Sequence, residues 1–230
     1  MGEATLISEE YRRMQQQLHE NPNYGVASVQ FAPLVAQVLD AAGANELLDY
    51  GAGKGRLGIA LKHYIQHPLI IRHYDPAIPA WSAPPEPCGF VACIDVLEHI
   101  EPALLDNVLD DLQRVTTDIG VLTVHTGPAA KVLPDGRNAH LIQQPPAWWL
   151  PKFRERFELV QFDTVKRGFM VVVERKGGSR PLRTPDVLNK RGRADKPFWL
   201  RGLLDRLRRI GASMISPPES HVFADRICRK

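Results

Sequence analysis

One stretch limits what this chain can fold into more than any other: LLDYGAGKGRLG, residues 47–58. An apolar run ending at Asp49 and Tyr50 feeds a turn carrying Gly51, Gly53 and Gly55, and a helical pattern starts directly after it. Glycine lets the backbone take φ > 0 and lets a ligand come close. A helix beginning at such a turn offers unpaired N–H groups and a partial positive charge to a carboxylate or phosphate. The strand–turn–helix unit predicts an open α/β sheet with a ligand at its carboxyl edge. A P-loop is excluded, because Lys54 is followed by Gly55 and lies too early in the run.

The rest of the chain extends this pattern. Ser8 ahead of Glu9 and Glu10 reads as the cap of a helix to about Glu20, and NPNYG at 21–25 breaks it. A second helix spans Val29 to Ala42, with Phe31, Leu34, Val35 and Val38 on one face. Strands are predicted at Glu46–Tyr50, Leu69–Tyr74, Phe90–Ile94 and Gly120–His125, with helices at Arg56–Gln66 and Pro102 to about Thr117. Trp148 to Phe157 reads as a helix interrupted by Pro151, and Phe157–Val165 and Phe169–Glu174 as a hairpin around Lys166–Arg167–Gly168. The sheet is therefore mostly parallel, with right-handed crossovers and a closing antiparallel hairpin.

Composition bounds the remainder. A chain of 230 residues with 44% hydrophobic and 24% charged residues is globular, not disordered, collagen-like or coiled-coil. The odd count of cysteines (Cys88, Cys93, Cys228) argues against a disulfide framework. No secretory signal and no run of ~18 apolar residues is present, so a cytoplasmic protein is expected, with an option of contact at the inner face of a membrane. The net charge of +3 conceals a division. Residues 1–174 hold 14 basic and 21 acidic residues, and residues 175–230 hold 15 basic and 5 acidic. Three domains are expected: N-terminal helices capping the site (1–40), a ligand-binding domain (41–174) and a basic arm (175–230).

Two fingerprints compete at the glycine turn. Gly53-x-Gly55-x-x-Gly58 matches that of nicotinamide or flavin enzymes. Asp49-x-Gly51-x-Gly53-x-Gly55 resembles the acidic turn of class I S-adenosylmethionine (SAM)-dependent methyltransferases. FVACIDVLEHIEP, residues 90–102, resembles the region after the fourth strand of that family and favours the second. The resemblance covers about residues 25–174. It implies a three-layer Rossmann-like sheet and SAM as cofactor. Asp49, Gly51, Ala52, Gly53 and Gly55 would hold the methionine part, Asp75 and Pro76 the ribose, and Cys93, Ile94 and Asp95 would flank the adenine or sulfonium. Only 14 residues separate Asp75 from Phe90, five of them prolines, so the family's third strand is expected to be missing. Trp81 then either covers the adenine or packs under the proline loop.

Asp95, Glu98 and His99 are spaced i, i+3, i+4, which puts them on one face if a helical turn follows the strand. Packed carboxylates repel unless a proton, a cation or water relieves them. The run resembles that of the ubiquinone-pathway O-methyltransferases and of the enzymes that 2′-O-methylate RNA 3′ ends. That resemblance implies a divalent metal (Mg or Mn) on Asp95, Glu98, His99 and His140, converging within ~5 Å. Without metal, His99 or His140 is the expected general base, with Asp95 beside it.

Residues 126–150 follow a strand and should border the site. Arg137, Asn138, His140 and Trp148 are the candidate acceptor contacts; Pro-Asp-Gly turn chemistry is the alternative account of Arg137 and Asn138, and helix packing that of Trp149 and, less so, of Trp148. Residues 198–214 read as a basic amphipathic helix that docks on the core or a partner copy, lies on an anionic membrane, or binds RNA. The expected activity is O-methylation of a saccharide, glycan precursor or other polar hydroxylated small molecule. The alternatives are 2′-O-methylation of an RNA 3′-terminal ribose, a nicotinamide-dependent oxidoreductase, and a non-catalytic SAM-binding module. Oligomeric state is not readable.

Overall fold

The computed structural model describes residues 4–177. The readings made for 178–230, including the helix at 198–214, lie outside the described residues.

Alternation of apolar and polar stretches produces α1 (Glu9–Glu20), α2 (Ser28–Ala42), β1 (Glu46–Tyr50), α3 (Arg56–Leu61), β2 (Ile70–Tyr74), β3 (Cys88–Ile94), α4 (Leu105–Val115), β4 (Thr116–His125), α5 (Pro146–Arg156), β5 (Phe157–Val165) and β6 (Gly168–Arg175). One six-stranded sheet has the order β2-β1-β3-β4-β6-β5. The first four strands are parallel, and β6 runs antiparallel to both neighbours. Residues 75–87 hold only a 3-10 turn, Pro79–Trp81, so β2 forms the sheet edge among the described residues.

Side chains alternate across a strand, so the sheet has two covered faces. Leu48, Tyr50, Val91, Cys93, Leu122, Val124, Phe169 and Val171 point to the face under α4 and α5, where Leu109, Leu112, Trp149 and Phe153 meet them. Leu47, Phe90, Ala92 and Val121 are buried on the other face, toward α2 and α3. Burying such side chains contributes roughly 1.5–3 kcal/mol each, an upper range since unfolded chains are already partly compact.

The fourth strand begins at Thr116 rather than Gly120, the helix before it is Leu105–Val115, and Pro151 lies inside a continuous α5. Two further changes bear on the site. The helix after the glycine turn ends at Leu61 rather than Gln66, because the chain tightens there (His63 N–H to the Ala60 carbonyl, 3.1 Å; Tyr64 N–H to Leu61, 2.9 Å). Six residues carry little of the terminal dipole that the sequence suggested. After β3 the chain does not enter an α-turn: Asp95 is left-handed (φ 52°) and only Leu97–His99 forms a 3-10 turn. Ser8 caps α1 as its sequence predicts, accepting from Tyr11 N–H at 3.1 Å. No helix among the described residues is long and apolar enough to cross a membrane.

Candidate active site

The chain leaves β1 toward β2 on one side and toward β3 on the other, which opens a crevice at the carboxyl ends of these strands. A cavity of about 360 Å³ occupies it. Asp49, Gly51, Ala52, Gly53, Asp75 and Pro76 line one half, and Ile94, Asp95, His99, His125 and His140 line the other. Tyr11, Gln15, His19 and Tyr24 close it from α1 and the loop that follows.

The glycine half rests on backbone geometry. Gly51 and Gly53 take positive φ (76° and 53°), and a Cβ on Gly51 would lie 2.5 Å from Val96 Cγ2. Asp75 Oδ2 accepts from Gly53 N–H and Oδ1 from Ala77 N–H, both at 2.9 Å, so the carboxylate is held in the cavity lining at the end of β2. Asp49 is buried; its Oδ2 lies 3.4 Å from His73 Nδ1 without an aligned hydrogen bond. Burial pushes its pKa up, and His73 opposes this. An orphaned carboxylate oxygen beside positive-φ glycines suits a ligand with a cationic end. Lys54 Nζ donates to the Asn21 (2.5 Å) and Tyr24 (3.3 Å) carbonyls, and Arg56 to Pro22 (2.6 Å), which ties the NPNYG loop over this turn.

The imidazole half is organised by tautomers. His99 Nδ1 lies 2.7 Å from the Ala139 carbonyl, and His140 Nδ1 lies 2.7 Å from the Gly127 carbonyl. A carbonyl only accepts, so each Nδ1 carries the proton and each Nε2 keeps a bare lone pair. The two rings meet edge to face at 4.6 Å. Glu98 is fully buried; Oε1 accepts from His125 N–H at 2.9 Å, while Oε2 has no partner. Glu98, His99 and His140 each bring one ligand atom within 4.8 Å of the others. A buried unpaired carboxylate oxygen and two lone-pair imidazoles, each oriented by a carbonyl on its other nitrogen, fit a divalent cation. Burial, then Asp95, pushes the Glu98 carboxyl well up; burial, then His140, takes His99 from its ordinary 6.5 to about 3.

Several sequence-predicted residues lie elsewhere. Asp95 lines the cavity but is not in the three-residue group: its left-handed backbone turns it to Thr123, whose Oγ1 donates to Asp95 Oδ1 at 2.6 Å. Gly55 caps α3 beneath Trp81 and His73, whose rings lie 4.6 Å apart. Trp81 therefore covers the outside of the turn and does not line the cavity. Cys93 is completely buried among core side chains, and burial raises its thiol pKa. Arg137 is exposed and pairs with Asp135 at 2.6 Å. Asn138 accepts from Ala129 N–H and His140 N–H and donates to the Ala129 carbonyl, each at 2.9 Å, so it holds the loop that delivers His140. Trp148 packs on Trp149 and under the Lys152 ammonium.

Sequence reasoning missed the α1 contacts and His125. Tyr11, Gln15 and His19 recur every four residues, a polar helical stripe, and two of them join a relay: Tyr24 Oη donates to Gln15 Oε1 (3.0 Å), Gln15 Nε2 to Tyr11 Oη (2.6 Å), and Tyr11 Oη to the His99 carbonyl (2.5 Å). His125 ends a strand at the carboxyl edge, and its ring lies tilted against His140 with centroids 4.7 Å apart.

This architecture is the class I methyltransferase fold. It is similar to the Burkholderia thailandensis 1,6-didemethyltoxoflavin-N1-methyltransferase solved with 1,6-didemethyltoxoflavin and S-adenosylhomocysteine, at 15% identity and a TM-score of 0.56, over 76% of this chain and 93% of that one. It is also similar to magnesium protoporphyrin IX methyltransferase of Synechocystis PCC 6803 solved with bound S-adenosylhomocysteine, at 14% identity and a TM-score of 0.50, over 73% and 95%. No protein-family model and no curated protein matches the chain.

Proposed function

We propose that the chain methylates a hydroxyl of a polar acceptor, a saccharide or glycan precursor first, using SAM and a divalent cation. The observation that carries this reading is one cavity with an acid-flanked glycine turn on one wall and two lone-pair imidazoles on the other. Gly51, Ala52 and Gly53 with Asp49 would hold the methionine part of SAM, and Asp75 the ribose. When bound, SAM supplies an electrophilic methyl group, which needs an aligned and partly deprotonated hydroxyl. Glu98, His99 and His140 would hold magnesium or manganese, whose Lewis acidity makes a hydroxyl easier to deprotonate. The Ala139 and Gly127 carbonyls fix the Nδ1–H tautomer of both imidazoles, which leaves both Nε2 lone pairs for the cation; without the cation, either could take the hydroxyl proton instead. Tyr11, Gln15 and Tyr24 roof the cavity and exclude water.

A second reading, 2′-O-methylation of an RNA 3′-terminal ribose, is favoured by the convergence of Glu98, His99 and His140 and by the basic balance of residues 175–230. The test is transfer of labelled methyl from SAM into a fractionated extract, with and without chelator. Label in a glycan fraction that disappears with chelator supports the first reading. Label in RNA selects the second. Transfer untouched by chelator removes the metal, and transfer to none rejects the activity.

A further inference from the structure

The lysine and arginine side chains that line the cavity lie on one side of it. Asp49 and Asp75 face it from the β1–β2 side, whereas Lys131 and Arg167 face it from the loop after β4 and from the β5–β6 turn. Both cations are exposed, and neither pairs with a carboxylate among the described residues. Arg72, Arg114, Arg137 and Arg156 all do. Their backbones are fixed: the Lys131 carbonyl accepts from Ala139 N–H (3.0 Å), and the Arg167 carbonyl accepts from Thr126 N–H (2.9 Å) and Oγ1 (3.2 Å). Arg167 takes φ 65°. Glycine would meet that backbone demand without strain, yet the turn carries a guanidinium beside the imidazole wall. Pro128, Ala129 and Ala130, just before Lys131 in the same loop, line the cavity with small side chains.

We propose that Lys131 and Arg167 bind a phosphate of the acceptor, next to the hydroxyl served by His99 and His140. A lysine point charge with an arginine fork suits phosphate oxygens, and among the described residues no lysine or arginine lines the wall that carries Asp49 and Asp75. The acceptor is thus a phosphorylated sugar unit. This inference rests on the methyltransferase reading and narrows its substrate.

The test follows amide shifts of full-length protein holding S-adenosylhomocysteine, titrated with inorganic phosphate, then with ribose 5-phosphate and ribose. Phosphate is expected to shift residues 125–140 and 166–168, and ribose 5-phosphate to bind at least about tenfold more tightly than ribose. Lys131→Gln and Arg167→Gly should each remove about fivefold or more of that preference while leaving S-adenosylhomocysteine affinity unchanged. Arg167→Gly should melt at the same or a higher temperature, which a purely structural arginine would not do. A short oligoribonucleotide that outcompetes ribose 5-phosphate assigns the phosphate to an RNA end, and one that does not assigns it to a small sugar phosphate; both support the site. Equal affinity for ribose and ribose 5-phosphate, or a preference that survives both substitutions, overturns it. Failure of S-adenosylhomocysteine to bind overturns the underlying reading instead.

Discussion

The two halves of the cavity are built differently. The glycine half comes from one contiguous unit: Asp49, Gly51, Ala52 and Gly53 leave β1 together, and Asp75 ends the adjacent parallel strand. Its geometry is set by backbone conformation. The imidazole half is gathered from residues 98–140, across a strand end, a 3-10 turn and a long loop, and its geometry is set by side chains bonded to distant carbonyls. A locally encoded half fails when the backbone is strained. A half assembled at long range fails when charge or tautomer is disturbed.

The largest expected effect breaks the first half. In Gly51→Ala a Cβ would meet Val96 at 2.5 Å in a left-handed residue, which should cost about 3 kcal/mol and roughly 100-fold in S-adenosylhomocysteine affinity by calorimetry. Acceptor-side changes should leave that affinity intact. Glu98→Gln probes the second half. Burial raises the Glu98 pKa, so the folded state holds this proton more tightly than the unfolded chain, and stability is lost as pH rises above the ordinary carboxylate value. In metal-free protein at pH 8 the amide should stabilise by about 2 kcal/mol in denaturant unfolding, while divalent-cation binding disappears.

His99 works in the opposite sense. Its imidazole falls from 6.5 to about 3 on folding, so its contribution is full above pH 6.5 and is lost as pH falls from 6.5 toward 3, by at most ~1.4 kcal/mol per pH unit. His99→Gln should flatten that acid limb in thermal melts. Arg137→Ala, on an exposed pair, should move stability by less than about 0.5 kcal/mol.

The same division explains what was legible in the sequence. Asp49 through Gly53 was readable because strand, turn and ligand-facing backbone are adjacent, and the succession of strands and helices along the chain followed from apolar periodicity. The grouping of Glu98, His99 and His140 was expected only through the family resemblance; what brings His140 there is the loop path that Asn138 fixes, which no local pattern shows. Asp95 was placed with them because spacing assumes a helical turn, and spacing cannot reveal a left-handed backbone at a non-glycine residue. Lys54 and Arg56, within and just after the glycine turn, clamp a loop 30 or more residues earlier in the chain, a pairing no local pattern encodes.

The central claim is that the glycine half holds SAM. Full-length protein melted with S-adenosylhomocysteine at 100 times its dissociation constant should gain ~2.7 kcal/mol, while NAD at equal concentration should leave the midpoint unchanged. Stabilisation by NAD with no response to S-adenosylhomocysteine would contradict the account.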